Sequence, residues 1–219
     1  MARVQGWSDV AQTLQRDIWF CLASGPSLTQ TDCDLVGELH LARDDIGVIA
    51  TNNTWLRATW ADVLFAGDQC WWNHYAKDAR AFGGVKLSWA STLHSIKVPH
   101  ENGMGLGRKR CRSGGNSGFK SVNIAYLLGA KLIILLGYDM QKTGGVMHWH
   151  PDHGGTLKNN GNLSKWVRNF GHLARDLERE KVRVINATRE TALTCFERMT
   201  IEQAIEVCNG PEVRGNLRA

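Results

Sequence analysis

AKLIILLGYD, residues 130–139, is an almost unbroken apolar run that ends in Gly137, Tyr138 and Asp139. Consecutive apolar residues, rather than alternating ones, are typical of a strand buried on both faces in the middle of a parallel sheet. Gly129 and Lys131 interrupt the wider apolar stretch, so it is too broken for a membrane span. We therefore predict a central parallel strand here.

Strands and helices alternate outward from this segment. Further strands are predicted at 17–24, 46–53, 61–68, 85–91 and 181–188. Helical spacing is found at 69–83, 117–129, 162–180 and 200–208, with Ser117 as the predicted N-cap of the second of these. This alternation predicts an α/β fold, a Rossmann-like and mostly parallel sheet flanked by helices. We expect one domain over residues 1–219, with its core at about 17–190 and a helical C-terminal tail.

The composition excludes several classes of protein. Hydrophobic residues make up 43% of the 219 residues and charged residues 21%, which is ordinary for a globular domain and excludes disorder or a fibre. The six cysteines include no C-x-x-C pair, which argues against a zinc ribbon or a thioredoxin-type motif. The first residues lack the apolar core of a signal peptide, so we expect a soluble protein of the reducing cytoplasm. The net charge of +5 favours an anionic ligand, either a nucleotide or a nucleic acid.

Small and polar residues follow four of the predicted strands. Because ligands bind outside the carboxyl ends of the strands in parallel α/β sheets, these residues predict one shared cleft. In chain order they are Ser24, Gly25, Ser27, Asn52, Asn53, Asp68 and Asp139.

RSGGNSGF, residues 112–119, is a loop of small residues that runs into a predicted helix. Backbone N–H groups at a helix N-terminus form an anion site, and Ser113, Asn116, Ser117 and Gly118 lie at this one. The basic run GRKRCR, residues 107–112, directly precedes it and would add positive charge to a phosphate site. The alternative is an ordinary flexible loop with a capped helix.

HWHPDH, residues 148–153, matches the H-x-H-x-D-H metal signature of metallo-β-lactamases. A dinuclear hydrolase needs further ligands downstream, but the only later histidine is His172, inside a predicted helix. His148, His150 and His153 remain candidates for a single metal, for phosphate binding or for acid–base catalysis. Trp149 lies among them and is a candidate for stacking on a ligand.

The order and spacing of five segments resemble the Rossmann-like sialyltransferases of glycosyltransferase family 42. The segments are SGPSL, NNTW, SGGNSGF, LGAKLIILLGYDM and HLARDLEREKVRVINAT, and the resemblance covers about residues 17–190. It extends to the 6-hydroxymethylpterin pyrophosphokinases of the same fold and to phage-encoded members of this group.

The resemblance implies a transferase that uses a nucleotide sugar as donor, with a CMP-sugar favoured. By its pattern, Ser24, Gly25, Asn52, Ser117 and Gly118 match the nucleotide-binding positions. The family has an Asn-Gly pair where this chain has Ser24-Gly25, which weakens the expectation for cytidine.

The resemblance also bears on the catalytic groups. The matching position for the family's basic histidine is Leu163 or Ser164, so a base from His148, His150 or His153 would be shifted along the loop. Asp139 matches the aspartate at the end of the family's central strand, and no metal is required in this scheme.

The acceptor expected from this resemblance is a glycan or a nucleic-acid base, and the family's enzymes are homo-oligomers. Three alternatives stay open: an ATP-dependent pyrophosphokinase or phosphotransferase with Mg²⁺ on Asp68 and Asp139, a metal-dependent hydrolase on the histidine cluster, and a non-catalytic phage nucleotide-binding protein. In a phage-encoded protein the expected location is the host cytoplasm.

Overall fold

The computed structural model describes residues 6–151 and 162–210. The strands are β1 (Ile18–Leu22), β2 (Ile46–Thr51), β3 (Val63–Phe65), β4 (Val85–Ser88), β5 (Ile96–Lys97), β6 (His100–Glu101), β7 (Cys111–Arg112), β8 (Leu132–Leu136), β9 (Arg183–Asn186) and β10 (Glu197–Arg198). The helices are α1 (Trp7–Thr13), α2 (Gln30–Leu41), α3 (Gln69–Tyr75), α4 (Ser117–Leu127), α5 (Leu163–Arg179) and α6 (Ile201–Asn209).

Eight of the strands form one parallel sheet in the order β10-β9-β8-β1-β2-β3-β4-β5. The predicted apolar segment is β8, and all five of its residues are buried. It pairs with β1 on one side, with Ile134 opposite Phe20, and with β9 on the other. The fold class predicted from the sequence, a Rossmann-like α/β domain with a parallel sheet, is confirmed.

The core lies in two layers, one on each face of the sheet. Alternate residues of β1 serve the two layers: Trp19 and Cys21 point to one, Phe20 and Leu22 to the other. Buried residues of α1, α4 and α5 belong to the first layer, and those of α2, α3 and α6 belong to the second. Helices on both faces are what a strand with no polar alternation requires.

Several boundaries differ from those predicted. The segment 69–83 is α3 followed by a separate 3₁₀ turn at Asp78–Ala81, and the second strand ends at Thr51 because a 3₁₀ turn occupies Asn52–Leu56. The N-cap of α4 is Asn116 rather than Ser117, since the Asn116 carboxamide oxygen accepts a hydrogen bond from Phe119 N at 2.9 Å. α1, α2 and four two-residue strands were not predicted.

None of the helices in residues 6–151 and 162–210 has the length and apolar character that a bilayer crossing requires.

Candidate functional site

A cleft opens where the chain direction across the sheet reverses, between the carboxyl ends of β1 and β8. From β1 the chain adds strands toward β5 on one side, and from β8 it adds strands toward β10 on the other. The loop after β1 is joined to the loop after β8 by a hydrogen bond from Gly25 N to Gly137 O at 2.8 Å. Such a reversal leaves a crevice in which parallel α/β domains bind ligands.

The cleft has a volume of about 170 Å³. It is lined by residues from the ends of β1, β2, β3 and β8, the start of α4, the loop after β8 and the start of α5. They are Ala23, Ser24, Gly25, Thr51, Asn52, Asp68, Gly115, Asn116, Ser117, Gly118, Gly137, Asp139, Met140, Gln141, Met147, His148, Leu163 and Trp166. The shared cleft predicted from four strand ends is therefore present.

Asp139 fixes the loop that follows β1. Its carboxylate is buried and accepts hydrogen bonds from Ser27 N at 3.0 Å, Ser27 Oγ at 2.8 Å and Thr143 Oγ1 at 2.9 Å. Burial raises the pKa of Asp139, and the hydrogen bonds from Ser27 and Thr143 oppose that rise. Both carboxylate oxygens are engaged within the protein, so the geometry favours a structural role for Asp139 over the predicted catalytic one.

Gly25 lies in the narrow space between Asp139 and the end of β8. A Cβ at this position would lie 2.0 Å from Asp139 Oδ1 and 2.4 Å from Gly137 O. Any larger residue would have to displace the Asp139 carboxylate or the β8 backbone. The glycine thus lets the loop after β1 lie directly against the end of β8, with Ser24 and Gly25 exposed to the cleft.

The N-terminus of α4 forms another wall of the cleft. Ser117 and Gly118 begin the helix, and their backbone N–H groups belong to the first turn, which has no intrahelical acceptors. The Asn116 side chain caps Phe119 N, while its Nδ2 is buried and has no hydrogen-bond partner among the described residues. Tyr138 OH donates to Gly118 O at 3.0 Å and ties this wall to the loop after β8. The wall presents hydrogen-bond donors and the positive end of the helix dipole.

The two adjacent asparagines after β2 have different surroundings. Asn52 lines the cleft and has a positive φ of 50°. Asn53 is turned into the core, where its Oδ1 accepts a hydrogen bond from Trp71 Nε1 at 2.8 Å. The structure therefore places Asn52, but not Asn53, at the predicted binding site. Ser27 also lies outside the cleft lining, bonded to Asp139 as described above.

His148 is the described histidine that lines the cleft. Its Nδ1 lies 3.0 Å from Ser24 Oγ, so the loop after β8 is hydrogen-bonded to the loop after β1 at this point. His150 is 8% exposed, its ring is stacked on His148 with centroids 5.0 Å apart, and its Nδ1 lies 2.9 Å from Pro151 O. His150 thus supports His148 from behind the cleft. His153 lies outside the described residues.

Trp149 is not among the residues that line the cleft. The Arg57 guanidinium lies over its ring at 3.9 Å from the centroid, and the ring packs against the core layer that holds α2, α3 and α6. Trp166, from the first turn of α5, is the tryptophan that lines the cleft. Sequence reasoning missed it because its surroundings in the chain show only an amphipathic helix.

The basic run 107–112 contributes no residue to the lining of the cleft, contrary to the expectation from the sequence. In the basic run, Arg108 pairs with Glu180 at 2.6 Å and Arg112 pairs with Glu101 at 2.8 Å, and neither lines the cleft. Ser113 also lies outside the cleft and belongs to a neighbouring basin. Within residues 6–151 and 162–210, no three His, Cys, Asp or Glu side chains are grouped as metal ligands.

These features define a single α/β domain on a parallel sheet, with its cleft at the position where such domains bind nucleotides. A solved structure with a similar fold is the sialyltransferase CstII from Campylobacter jejuni in complex with the substrate analogue cytidine-5'-monophosphate. It aligns with a TM-score of 0.55 and 12% sequence identity, over 84% of this chain and 85% of that chain. A second structure of CstII, in complex with CMP-3FNeuAc, aligns with a TM-score of 0.42 and 10% identity, over 84% and 86% of the two chains.

No protein-family model matches this sequence, and no curated protein matches it. The likeness to CstII is a likeness of fold, in agreement with the fold expected from the family 42 resemblance.

Proposed function

We propose that residues 1–219 form one transferase domain, a glycosyltransferase that uses a nucleotide-activated sugar as donor. The observation that carries the proposal is the convergence of Ser24, Asn52, Ser117 and His148 in one cleft at the β1–β8 reversal. The fold similarity to a sialyltransferase in complex with cytidine-5'-monophosphate supports a CMP-sugar as the donor.

The donor phosphate is proposed to bind at the start of α4. The N–H groups of Ser117 and Gly118, the Asn116 Nδ2 and the helix dipole all supply positive charge density there. As the sugar–phosphate bond breaks, these donors stabilise the anion that leaves. Fixed dipoles do this without a metal ion, and Asn52, which also lines the cleft, provides an amide for the ribose or the base.

His148 is proposed as the general base. When its Nδ1–H donates to Ser24 Oγ, the lone pair is on Nε2, which then accepts the proton of the acceptor hydroxyl. The acceptor oxygen forms a bond to the anomeric carbon, the bond from that carbon to the phosphate oxygen breaks, and the nucleotide monophosphate leaves with the bonding pair. Ser24 acts as a positioning residue that fixes the tautomer and orientation of His148.

A thermal-shift panel is the first test of the donor. CMP, CMP-sialic acid, UDP-glucose, GDP-mannose and ATP are compared at equal concentrations, and a CMP-sugar is expected to raise the Tm most, because a ligand that binds only the folded state stabilises it. A shift with ATP and Mg²⁺ alone would favour the pyrophosphokinase instead. No shift with any nucleotide would contradict the proposal.

His148→Ala is expected to lower the rate of sugar transfer or donor hydrolysis by about 10²–10⁴-fold, the usual contribution of a general base. CMP affinity should stay within a few-fold of wild type, since the imidazole acts on the acceptor. His150→Ala is the matched control in the same loop, and a smaller loss is expected from it because that ring lies behind the cleft. Equal rates of sugar transfer in wild type and His148→Ala would rule out His148 as the general base.

A further inference from the structure

Lys120 is a largely buried cation that forms no ion pair with a carboxylate in the described part of the chain. It lies on α4, one turn after Ser117, and is 9% exposed. Its Nζ lies over the Trp89 ring at 4.1 Å from the centroid, but among the described residues no carboxylate forms an ion pair with it. Burial lowers the pKa of Lys120, and the charge of Asp68 opposes that change. Burying an unpaired ammonium is costly, so an ion normally accompanies it.

The ammonium faces an open depression of about 450 Å³, which we call the Lys120 basin. Its lining residues are Gly67, Asp68, Gln69, Trp89, Ala90, Ser91, Lys97, His100, Ser113 and Lys120. Lys97 supplies a second cation, and Asp68 is the acidic side chain among the lining residues. The His100 ring packs edge-on against Trp89 at a centroid distance of 4.7 Å and so holds the indole in place.

Gly67 leaves the space that the ammonium occupies. A Cβ on Gly67 would lie 2.8 Å from Lys120 Nζ and 3.4 Å from Ser117 Oγ. The end of β3 therefore passes close to both side chains. Asp68, the next residue, lines both the basin and the nucleotide cleft. The two depressions thus adjoin along Asp68 and the first turn of α4, the wall proposed above to bind the donor phosphate.

We infer that the Lys120 basin binds an acidic group of the acceptor, a carboxylate or a phosphate, with Lys120 and Lys97 as its counter-ions. This inference rests on the proposed glycosyltransferase function, which makes the depression beside the donor cleft the place for an acceptor. Asp68, at the shared edge, is positioned to accept a hydrogen bond from an acceptor hydroxyl. An anion in the basin would form the direct ion pair with the Lys120 ammonium that no described carboxylate forms, in addition to the charge of nearby Asp68.

The test is a calorimetric titration of the whole protein saturated with CMP, so that the donor phosphate site is already filled. The probes are glucuronate and glucose 6-phosphate, which distinguish a carboxylate from a phosphate, and glucose is the neutral control. We expect one of the two acids to bind and glucose to bind at least ~10-fold more weakly, since hydrogen bonds to charged groups are stronger than those between neutral groups. Failure of both acids to bind the wild-type protein would overturn the inference.

Variants locate the bound anion. Lys120→Met should weaken binding of the acid by at least ~10-fold while leaving the affinity for CMP unchanged, and Lys97→Met should weaken it by a few-fold. Lys181→Met is the matched control, because Lys181 is an exposed lysine next to the amino end of β9, away from the basin. If Lys120→Met does not fold, Lys97→Met still tests whether the acid binds in the basin, because the Lys97 side chain is exposed and its replacement should leave the fold intact. If wild type, Lys120→Met and Lys97→Met bound the acid with equal affinity, the basin would be excluded as the site of the bound anion.

The design separates this inference from the function on which it depends. If CMP does not bind, the proposed donor is wrong, and the same acid titrations on the nucleotide-free protein still show whether the basin holds an anion. If CMP binds and neither acid does, the donor site stands and the acidic acceptor is wrong.

Discussion

Two buried charges of opposite sign are treated differently by this protein. The carboxylate of Asp139 receives three hydrogen bonds from Ser27 and Thr143, whereas the ammonium of Lys120 has an aromatic ring beside it and no ion pair in the described chain. A buried charge with its hydrogen bonds satisfied serves the fold, while one left unpaired calls for another explanation. This contrast is why we assign Asp139 to the structure of the cleft and Lys120 to a ligand.

Asp139→Asn is expected to destabilise the protein by about 1–3 kcal/mol, measured by urea denaturation. An amide has one acceptor oxygen in place of two, so its NH₂ group would face a donor from Ser27 or Thr143 and leave a buried donor unsatisfied. CMP affinity should fall as well, because the loop after β1 carries Ser24 and Gly25 into the cleft.

Thr143→Val is the milder comparison for Asp139→Asn, since it removes one of the three hydrogen bonds and adds no opposing donor. If Asp139→Asn unfolded at the same urea concentration as the wild type, the carboxylate would not be what fixes the loop after β1. Loss of transfer activity with unchanged stability and unchanged CMP affinity would return Asp139 to the catalytic role expected from the family resemblance.

At the level of elements, the N-terminus of α4 combines helix capping with the proposed phosphate site. Asn116→Ala removes the cap on Phe119 N and should cost about 1 kcal/mol of unfolding free energy. It also removes the buried Nδ2 beside the proposed phosphate position, so the affinity for CMP should fall several-fold as well.

Thr200→Ala is the matched control for Asn116→Ala. Thr200 caps α6 through Gln203 N, and it does not line the cleft. A similar loss of stability with unchanged CMP affinity is expected from it. If both variants changed CMP affinity equally, the effect of Asn116 would be one of global stability and not of contact with the nucleotide.

The elements that the sequence predicts well are those whose burial is uniform. β8 and β1 consist entirely of apolar residues, and their burial on both faces follows from that pattern alone. α2 was missed because its buried face includes Asp32 and Cys33 beside Val36, which gives a weak apolar period. Its capping box, Thr29 with Asp32, is a local signal that was available. Strands of two residues, such as β5 and β10, carry too little sequence to be recognised.

The cleft was predictable as a location, whereas the choice among adjacent side chains was not. Asn52 and Asn53 are neighbours of the same type, and only the turn after β2 directs one to the cleft and the other to Trp71. The same holds for His148 and His150, which stack on each other in a loop without regular spacing. Lys120 was missed because a lysine on an amphipathic helix is normally exposed.

For the molecule as a whole, the sheet joins two core layers, and each layer contains two of the four buried cysteines. Cys21 and Cys111 belong to the layer that holds α4 and α5, and Cys33 and Cys208 belong to the layer that holds α2 and α6. Burial raises the pKa of all four thiols, to about 12 for Cys33, Cys111 and Cys208. Since the thiolate is the reactive form, these cysteines should be inert in the native state.

We expect the four buried cysteines to become reactive together, at the urea concentration at which the whole domain unfolds. The central strands β1 and β8 contribute residues to both layers, so unfolding of these strands disrupts both layers at once. The measurement is pulsed alkylation across a urea series with mass-spectrometric readout of each cysteine, in a Cys70→Ser, Cys195→Ser variant that lacks the two exposed thiols. Reaction of Cys208 at lower urea than Cys21 would contradict this, because it would show that α6, which follows the edge strand β10 in the chain, unfolds separately from the sheet that forms the cleft.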